Sequence, residues 1–382
     1  MNIFKPLLLF TCLFFLPTSS PAASLHLLGD LPGGHFFSNA ISISADGQTI
    51  AGHSDPANMQ MVRWSPTSTT PDPLYSNYYP VFGQVSSISA DGSTIVGFSF
   101  GSTFSAARWT ATDGLQILSN NQIDSSSTAV SSNGSVVVGN YTPAPDAGTR
   151  AFRWTSSTGL QTLDLSPYPV ISSTASAISA DGQTIVGQVA TTSTNSVPYL
   201  WTPAGTTLLP IPSGVVTTIT PDASIVAGYF GNSFSGRLPF LWTPSQGVYM
   251  IPIPTTLTDL SPVAISDDGS VLIGHAGLSD SQDSWLWTPT NGLRSIRQIL
   301  QADGIDTSPY TTIILNDLSS DGQSLVGYLT GPSIPGGGEA FIATIPEPSL
   351  LLFFLTLPLL PLRHKNRPHH PNHGQRATPH QI

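Results

Sequence analysis

An all-β fold, a seven-bladed β-propeller, is what the sequence predicts, and three observations predict it. One unit of roughly 45 residues recurs seven times. Each copy holds a hairpin with an Asp-Gly-type turn, and an aromatic strand follows it at a near-constant distance. A short Gly-Leu-led segment closes most copies. That makes four strands per unit, and four strands in ~40–50 residues, repeated in series, is the arithmetic of a propeller.

The hairpin comes first in each unit. Seven segments align: ISADGQTIAG (43–52), ISADGSTIVG (88–97), VSSNGSVVVG (130–139), ISADGQTIVG (178–187), ITPDASIVAG (219–228), ISDDGSVLIG (265–274) and LSSDGQSLVG (318–327). Their turn residues are Asp46, Asp91, Asn133, Asp181, Asp222, Asp268 and Asp321, spaced by 45, 42, 48, 41, 46 and 53 residues. This is too regular for chance and too variable for a rigid solenoid. Alternating apolar and small residues lead into the turn, Asp-Gly supplies positive φ at little steric cost, and a β-branched run returns. Gly52, Gly97, Gly139, Gly187, Gly228, Gly274 and Gly327 end the return strand. Glycine inside a strand marks a bulge or close backbone approach, read here as crowding between adjacent sheets.

The aromatic strand lies 12 to 16 residues beyond that glycine: MVRWS, AARWT, AFRWT, YLWTP, FLWTP, WLWTP and AFIAT. It places Trp64, Trp109, Trp154, Trp201, Trp242 and Trp287 in six copies, with Ala343 in the seventh. Aromatics repeated in one strand are expected between blades as core; a ring of sugar-stacking platforms is the competing reading. Arg63, Arg108 and Arg153 precede three of the indoles and read as architectural partners of acidic turns. The fourth segment follows Gly-Leu-x-x-Leu, as in Gly114 to Leu118 and Gly159 to Leu163. Residues Ser24–Leu28 look like the same strand, so the chain begins and ends within one complete set of seven units. Leu293, Ile296, Ile299 and Leu300 fall at helical spacing with Gly304 as a stop, which predicts a short helix near 293–302 beside the last blade junction.

Both ends read as address labels. Lys5, the apolar run Leu7 to Leu16 and small residues up to Ala22 make residues 1–22 a secretory signal peptide. The single cysteine, Cys12, lies inside it, so the exported chain is expected to have no disulfide, thiolate metal site or Cys nucleophile. The seven units occupy 23–344. Residues 345–367 hold Pro346-Glu347-Pro348, the apolar run Leu350 to Leu362, and then Arg363, Lys365 and Arg367. Thirteen residues rising ~1.5 Å each span about 20 Å against a hydrocarbon core of roughly 30 Å. With Pro358 and Pro361 inside, the run suits a transient anchor, its cations facing the cytoplasm. Residues 368–382 form a His/Pro-rich tail expected to be disordered.

Two resemblances follow from these residues. Pro346-Glu347-Pro348 with a hydrophobic stretch and basic cluster resembles the PEP-CTERM sorting signal of exopolysaccharide-producing Gram-negative bacteria. It implies processing by an exosortase-type membrane protease; a plain C-terminal anchor is the alternative. The repeat Ala-x-x-Ile-Ser-x-Asp-Gly-x-x-Ile-Val-Gly, followed by Ala151-Phe152-Arg153-Trp154-Thr155, resembles the HAF family of extracellular repeat proteins over nearly all of 24–344. That resemblance implies an extracellular repeat protein and no particular activity.

Few residues suggest chemistry. A calcium loop needs several converging oxygens, whereas most turns here offer one carboxylate; turn chemistry explains Asp-Gly without metal, even at Asp267-Asp268. His26, His35, His53 and His275 show no zinc spacing, although His53 and His275 each follow a repeat glycine directly. No nucleophile elbow or phosphate loop is present, so no catalytic, cofactor or metal residue is assigned. Residues 24–344 contain seven Arg and no Lys against 21 Asp and Glu, a net charge of −14 that excludes nucleic acid as a partner. Two functions remain. One is a binding or structural module of the cell surface or matrix, its partner an extracellular polysaccharide or surface protein. The other is a glycan hydrolase or lyase using unrepeated acids such as Asp30, Asp164, Asp259 and Asp317 gathered at one mouth of the ring.

Overall fold

The computed structural model describes residues 23–346 apart from 34–35, 55–58, 77–78, 120–123, 192–195, 233–235, 255–256, 258, 278–282 and 335–336. The signal peptide, Glu347, Pro348, the apolar run and the tail lie outside the described residues, whereas Pro346 lies within them.

The described chain forms seven four-stranded antiparallel sheets, a two-stranded ribbon of Tyr75–Ser76 with Tyr79–Pro80, and one helix. In blade 2 the strands run outward in sequence order: Gly83–Ile88, Thr94–Ser99, Ser105–Thr110 and Gly114–Ile117. The innermost strands of the other blades are Ser38–Ile43, Ser125–Val130, Ser172–Ile178, Gly214–Ile219, Leu260–Ile265 and Thr312–Leu318. These seven strands touch their neighbours in a closed cycle, blade 7 meeting blade 1. The molecule is a seven-bladed β-propeller. Blade 7 takes its outermost strand from the other end of the chain, Ser24–Leu27 pairing with Glu339–Thr344 so that Leu25 faces Ala343.

One hydrogen-bond pattern builds all seven inner hairpins. A hydroxyl two residues before the turn acid (Ser44, Ser89, Ser131, Ser179, Thr220, Ser266 or Ser319) donates to its Oδ1 at 2.5–3.1 Å. The same Oδ1 accepts the backbone N–H two residues later at 2.9–3.1 Å. The hydroxyl oxygen in turn accepts the N–H five residues beyond itself at 2.9–3.0 Å. Side chains thereby do the work of a backbone turn. Six copies place Gly after the acid with φ between 70° and 72°; the fifth places Ala223 there at φ 61°, where its Cβ is strained.

Between hydroxyl and acid sits one residue whose N–H the hairpin does not use: Ala45, Ala90, Ser132, Ala180, Pro221, Asp267 and Ser320. It reaches across the seam to the next blade. Ala45 N–H donates to the Ala90 carbonyl, Ser132 to Ala180, Ala180 to Pro221, Asp267 to Ser320, and Ser320 back to Ala45, all at 2.9–3.1 Å. The seam between blades 2 and 3 lacks the bond, and that between blades 5 and 6 cannot repeat it, because Pro221 has no N–H. These bonds form a collar around the axis.

Each repeat glycine faces a β-bulge. The innermost strand carries one extra residue in every blade, at Ile41, Ser86, Thr128, Ser176, Thr217, Val263 and Asn316. A Cβ on the paired glycine would lie 1.8–2.3 Å from the preceding carbonyl oxygen of that strand, for example Thr174 O above Gly187. The crowding is therefore within one blade, not between adjacent sheets as expected. Four glycines are also covered by a third-strand aromatic: Phe152, Tyr199, Phe240 and Trp285 lie over Gly139, Gly187, Gly228 and Gly274. These four, with Phe341, are the largest fully buried side chains. They stand two residues before the Trp position.

Trp64, Trp109 and Trp287 are buried, while Trp154, Trp201 and Trp242 are half-buried. Two of the arginines lie over the next blade's indole, Arg63 over Trp109 at 5.6 Å and Arg108 over Trp154 at 5.9 Å. Arg153 instead donates to the Gly182 carbonyl of the next blade's turn at 3.4 Å. The helix, α1, spans Ile296–Ala302. Leu293 belongs to the outer strand of blade 6, Gly292–Ser295, because it pairs with Trp287. Ile296, Ile299 and Leu300 bury one face of α1 against Leu286 of blade 6 and Ile313 and Phe341 of blade 7. Arg297 holds the chain that follows, bonding Asp283 at 2.5 Å and the Thr307 and Thr311 carbonyls.

Two glycine-site substitutions should move stability in opposite directions. Gly187→Ala meets backbone that cannot yield and should cost about 3 kcal/mol, as overpacking does. Ala223→Gly relieves a left-handed alanine and should gain roughly 0.5–1 kcal/mol. Urea melts measure both; an unchanged Gly187→Ala midpoint would mean the bulge relaxes.

Candidate functional site

Antiparallel topology gives the ring two unlike faces. One carries the inner hairpin turns and the turns between third and fourth strands. The other carries the connections between second and third strands, together with the blade-to-blade connections. On the first, the turn face, all seven turn residues are exposed, yet each Oδ1 is held by its own turn. Those bonds lower the carboxyl pKa at Asp46, Asp181 and Asp222, the hydroxyl donor contributing most. Asp267, wholly unrepeated, is raised by burial, then by Asp268 and Asp222. The axial opening at this face is about 160 Å³, lined by the collar residues and an apolar ring that includes Ile43, Ile88 and Ile178.

The unrepeated acids do not gather. Asp164 accepts from Ser166 in an exposed turn. Asp259 holds Arg237 in a two-pronged pair, Oδ1 to Nε at 2.6 Å and Oδ2 to Nη2 at 3.0 Å, and also accepts the Arg237 N–H. The guanidinium lowers its pKa. Asp317 follows the blade 7 bulge and bridges to blade 1: its Oδ2 accepts from Ser42 Oγ at 2.6 Å and Ile43 N–H at 3.0 Å. Its Oδ1 accepts from Leu318 N–H, and burial raises its pKa to about 6 against those bonds. Next to it, Asn316 Nδ2 donates to Asn39 Oδ1 and the Ala40 carbonyl, both at 2.7 Å. These side chains stitch the seam where the two ends of the ring meet.

The loop face brings together groups that sequence reasoning kept apart. Asp30, in the connection from blade 7 to blade 1, and Glu339, at the start of the third strand of blade 7, both have raised pKa values. Burial is the main cause in each, and the Asp30 charge raises Glu339 further. The pairing was missed because 309 positions separate them and only ring closure joins them. His53 and His275 do occupy the same place in two blades. Burial pushes His53 down to about 4, stacked 6.0 Å from Phe37, while His275 Nε2 bonds the Leu315 carbonyl at 2.8 Å. Among the described residues no three His, Cys, Asp or Glu side chains are placed to hold a metal ion.

A cavity of about 290 Å³ opens on the same face between blades 2 and 3. Phe98, Phe104 and Tyr141 line it together with Asp124, Asn140 and Thr149. Exposed Phe82 and Phe100 lie beside it, the Phe100 N–H donating to the Phe82 carbonyl. On the turn face, a second cleft of about 590 Å³ between these blades is bordered by Arg108, Asp113 and Trp154.

No protein-family model matches this chain, and no curated protein sequence does. Solved structures resemble it in fold. The β-propeller domain of Cps50 (Swd1) from Myceliophteria thermophila gives a TM-score of 0.55 at 11% identity, covering 84% of this chain and 100% of that one. An oligogalacturonate lyase in complex with manganese gives 0.53 at 14% identity, covering 86% and 95%. An oligogalacturonate lyase from Vibrio parahaemolyticus gives 0.50 at 12%, covering 86% and 98%. At such identities the likeness establishes the propeller and no more.

The pKa of Asp317 makes a signed prediction. A carboxyl raised in the folded state adds stability that is complete below its unfolded pKa near 4 and lost as pH rises through about 6. Asp317→Asn removes that contribution. The Tm of the natural protein relative to the variant should therefore be most favourable near pH 4 and fall by a few degrees by pH 7. A relative Tm that rises with pH would mean that the Ser42, Ile43 and Leu318 donors outweigh burial.

Proposed function

We propose that this propeller is an exported binding module of the cell surface or extracellular matrix, presenting its loop face to an extracellular polysaccharide. The observation that carries the reading is the inequality of the two faces. On the turn face, Oδ1 of six Asp and of Asn133 is spent on its own hairpin in seven equivalent turns. The loop face differs from blade to blade: its second-to-third connections run from three residues (233–235) to eight (142–149). It also holds the exposed rings of Phe36, Phe82, Phe100 and Phe104. Loops of varied length on a rigid scaffold are where binding resides. Export and surface placement draw support from residues 1–22 and from Pro346-Glu347-Pro348 with its apolar run and cations. On this reading an exosortase-type protease processes the chain, and membrane anchoring is transient.

A second reading, a glycan hydrolase or lyase, has one observation in its favour. Asp30 and Glu339 are neighbouring carboxyls, both with pKa raised by burial, and the Asp30 charge raises Glu339 further, as a pair of acids with distinct roles requires.

Incubating the exported chain, residues 23–382, with the producing cell's own exopolysaccharide tests both readings. Retention without release of fragments is expected. Fragment release that disappears in Glu339→Gln would replace the first reading by the second. Processing has its own measurement: mass spectrometry of the protein from outer cell fractions should find no peptide running through Arg363 into the tail. Such peptides would leave simple membrane anchoring.

A further inference from the structure

We infer that the cavity between blades 2 and 3 is a subsite for one ring of an uncharged sugar, with Phe104 as its platform and Asp124 as its hydroxyl acceptor. The inference deepens the proposed polysaccharide binding and rests on that reading for its biological ligand.

The propeller itself supplies the comparison. Asp124 immediately precedes the innermost strand of blade 3, as Asp259 precedes that of blade 6. Each accepts, through Oδ1, a backbone N–H from near the start of the preceding blade's third strand: Phe104 N–H for Asp124 and Arg237 N–H for Asp259. The two sites are built alike. At blade 6 the residue supplying that N–H also supplies a guanidinium, which occupies both carboxylate oxygens. At blade 3 the corresponding residue is phenylalanine, 54% exposed, and the carboxylate has no cation. The structural role of the acid is kept while its charge partner is exchanged for an aromatic face.

The surroundings suit a sugar ring. Phe104 is held edge-on by Phe98 and Phe100, with ring centroids 5.4 and 5.9 Å away, so its orientation is fixed before any ligand arrives. Asn140 accepts the Ala175 N–H through Oδ1 at 2.8 Å, which leaves the two Nδ2 hydrogens as the end of the amide available to a ligand. Tyr141, anchored through its hydroxyl to Thr162, lines another side. A pyranose offers an apolar C–H face to an aromatic ring and hydroxyls, both donor and acceptor, around its edge. This wall provides one such platform, a carboxylate acceptor and an amide donor. Among the described residues no Lys, Arg or His lines the cavity, and the carboxylate repels a second negative charge. Uronate and sulfated rings are disfavoured, and a neutral ring fits both the volume and the charge.

The test titrates the exported chain, residues 23–382, with neutral gluco-, manno- and galacto-tetraoses and with tetragalacturonate, following binding by calorimetry and ligand-observed NMR. At least one neutral tetraose should bind, tetragalacturonate should bind at least about tenfold more weakly, and Phe104→Ala and Asp124→Asn should each weaken the neutral ligand by about tenfold or more. Phe104→Trp should restore binding, and Asp113→Asn on the turn face should leave it unchanged. Melting curves must show each variant folded; Asp124→Asn keeps an oxygen for the Phe104 N–H. Absence of neutral-sugar binding, preference for tetragalacturonate, or binding indifferent to Phe104 and Asp124 overturns the subsite. Host polysaccharide retained equally by natural protein and variants would overturn this subsite alone. A neutral tetraose bound here, with host polysaccharide not retained, would overturn the wider reading alone.

Discussion

Five of the seven seams between blades are closed by one bond made in the same place. It is a backbone hydrogen bond from the residue between the turn hydroxyl and the turn acid. The hydroxyl and Oδ1 absorb the other polar groups of the hairpin, so this one N–H points away from its own blade and can find a partner elsewhere. The neighbour's carbonyl provides it. Two seams lack it: the Ala90 N–H of blade 2 makes no bond to Ser132, and blade 5 has Pro221, with no N–H, in that place. The same blade replaces the turn glycine by Ala223, yet keeps Asp222 and the Thr220 hydroxyl. What blade 5 preserves is the side-chain clamp.

A second constraint, the bulge, explains how strand identity relates to packing. One extra residue on the innermost strand brings a carbonyl against the second strand, so only glycine fits opposite. The glycines were legible in the sequence, but repeated letters alone did not separate a bulge from crowding between adjacent sheets. The same limit separated the Trp positions from the deepest core. Residues i and i+2 of a strand share a face, so the indole and the residue two before it both point inward. The one that repeats in identity is the indole. The one that fills the blade over the glycine changes from Val62 and Ala107 to Phe152, Tyr199, Phe240, Trp285 and Phe341, all buried. It is constrained by space and not by chemistry, which a search for repeated letters does not detect.

Seven units with four strands in each followed from periodicity and turn residues. The seam that closes the ring did not. Ser42 with Asp317, Asn39 with Asn316, and Asp30 beside Glu339 join residues from opposite ends of the chain. None belongs to the repeat, and no local pattern marks them. They sit beside the one blade in which the two ends of the chain meet. Every other blade is a continuous run of chain, whereas blade 7 is completed by the Ser24–Leu27 strand, which then leads on into blade 1.

A repeat fold supplies its own controls, since each blade states what the scaffold needs at a given place. On the turn face, seven copies agree down to individual oxygen atoms. On the loop face, the residue after the repeat glycine is different chemistry in nearly every blade: His53, Phe98, Asn140, Gln188, Tyr229, His275 and Tyr328. Several of these still perform a common task, reaching the next blade's innermost strand, as Asn140 does with Ala175 and His275 with Leu315. A residue that keeps the task can be assigned to the scaffold. One that keeps the backbone position and abandons the task has another reason to be there. Phe104 is such a residue, because it donates the same N–H to Asp124 that Arg237 donates to Asp259, and then withholds the charge that would neutralise the acid. Phe104 and Asp124 thus keep the backbone bond of the Arg237–Asp259 site without its ion pair, and both line the open cavity between blades 2 and 3.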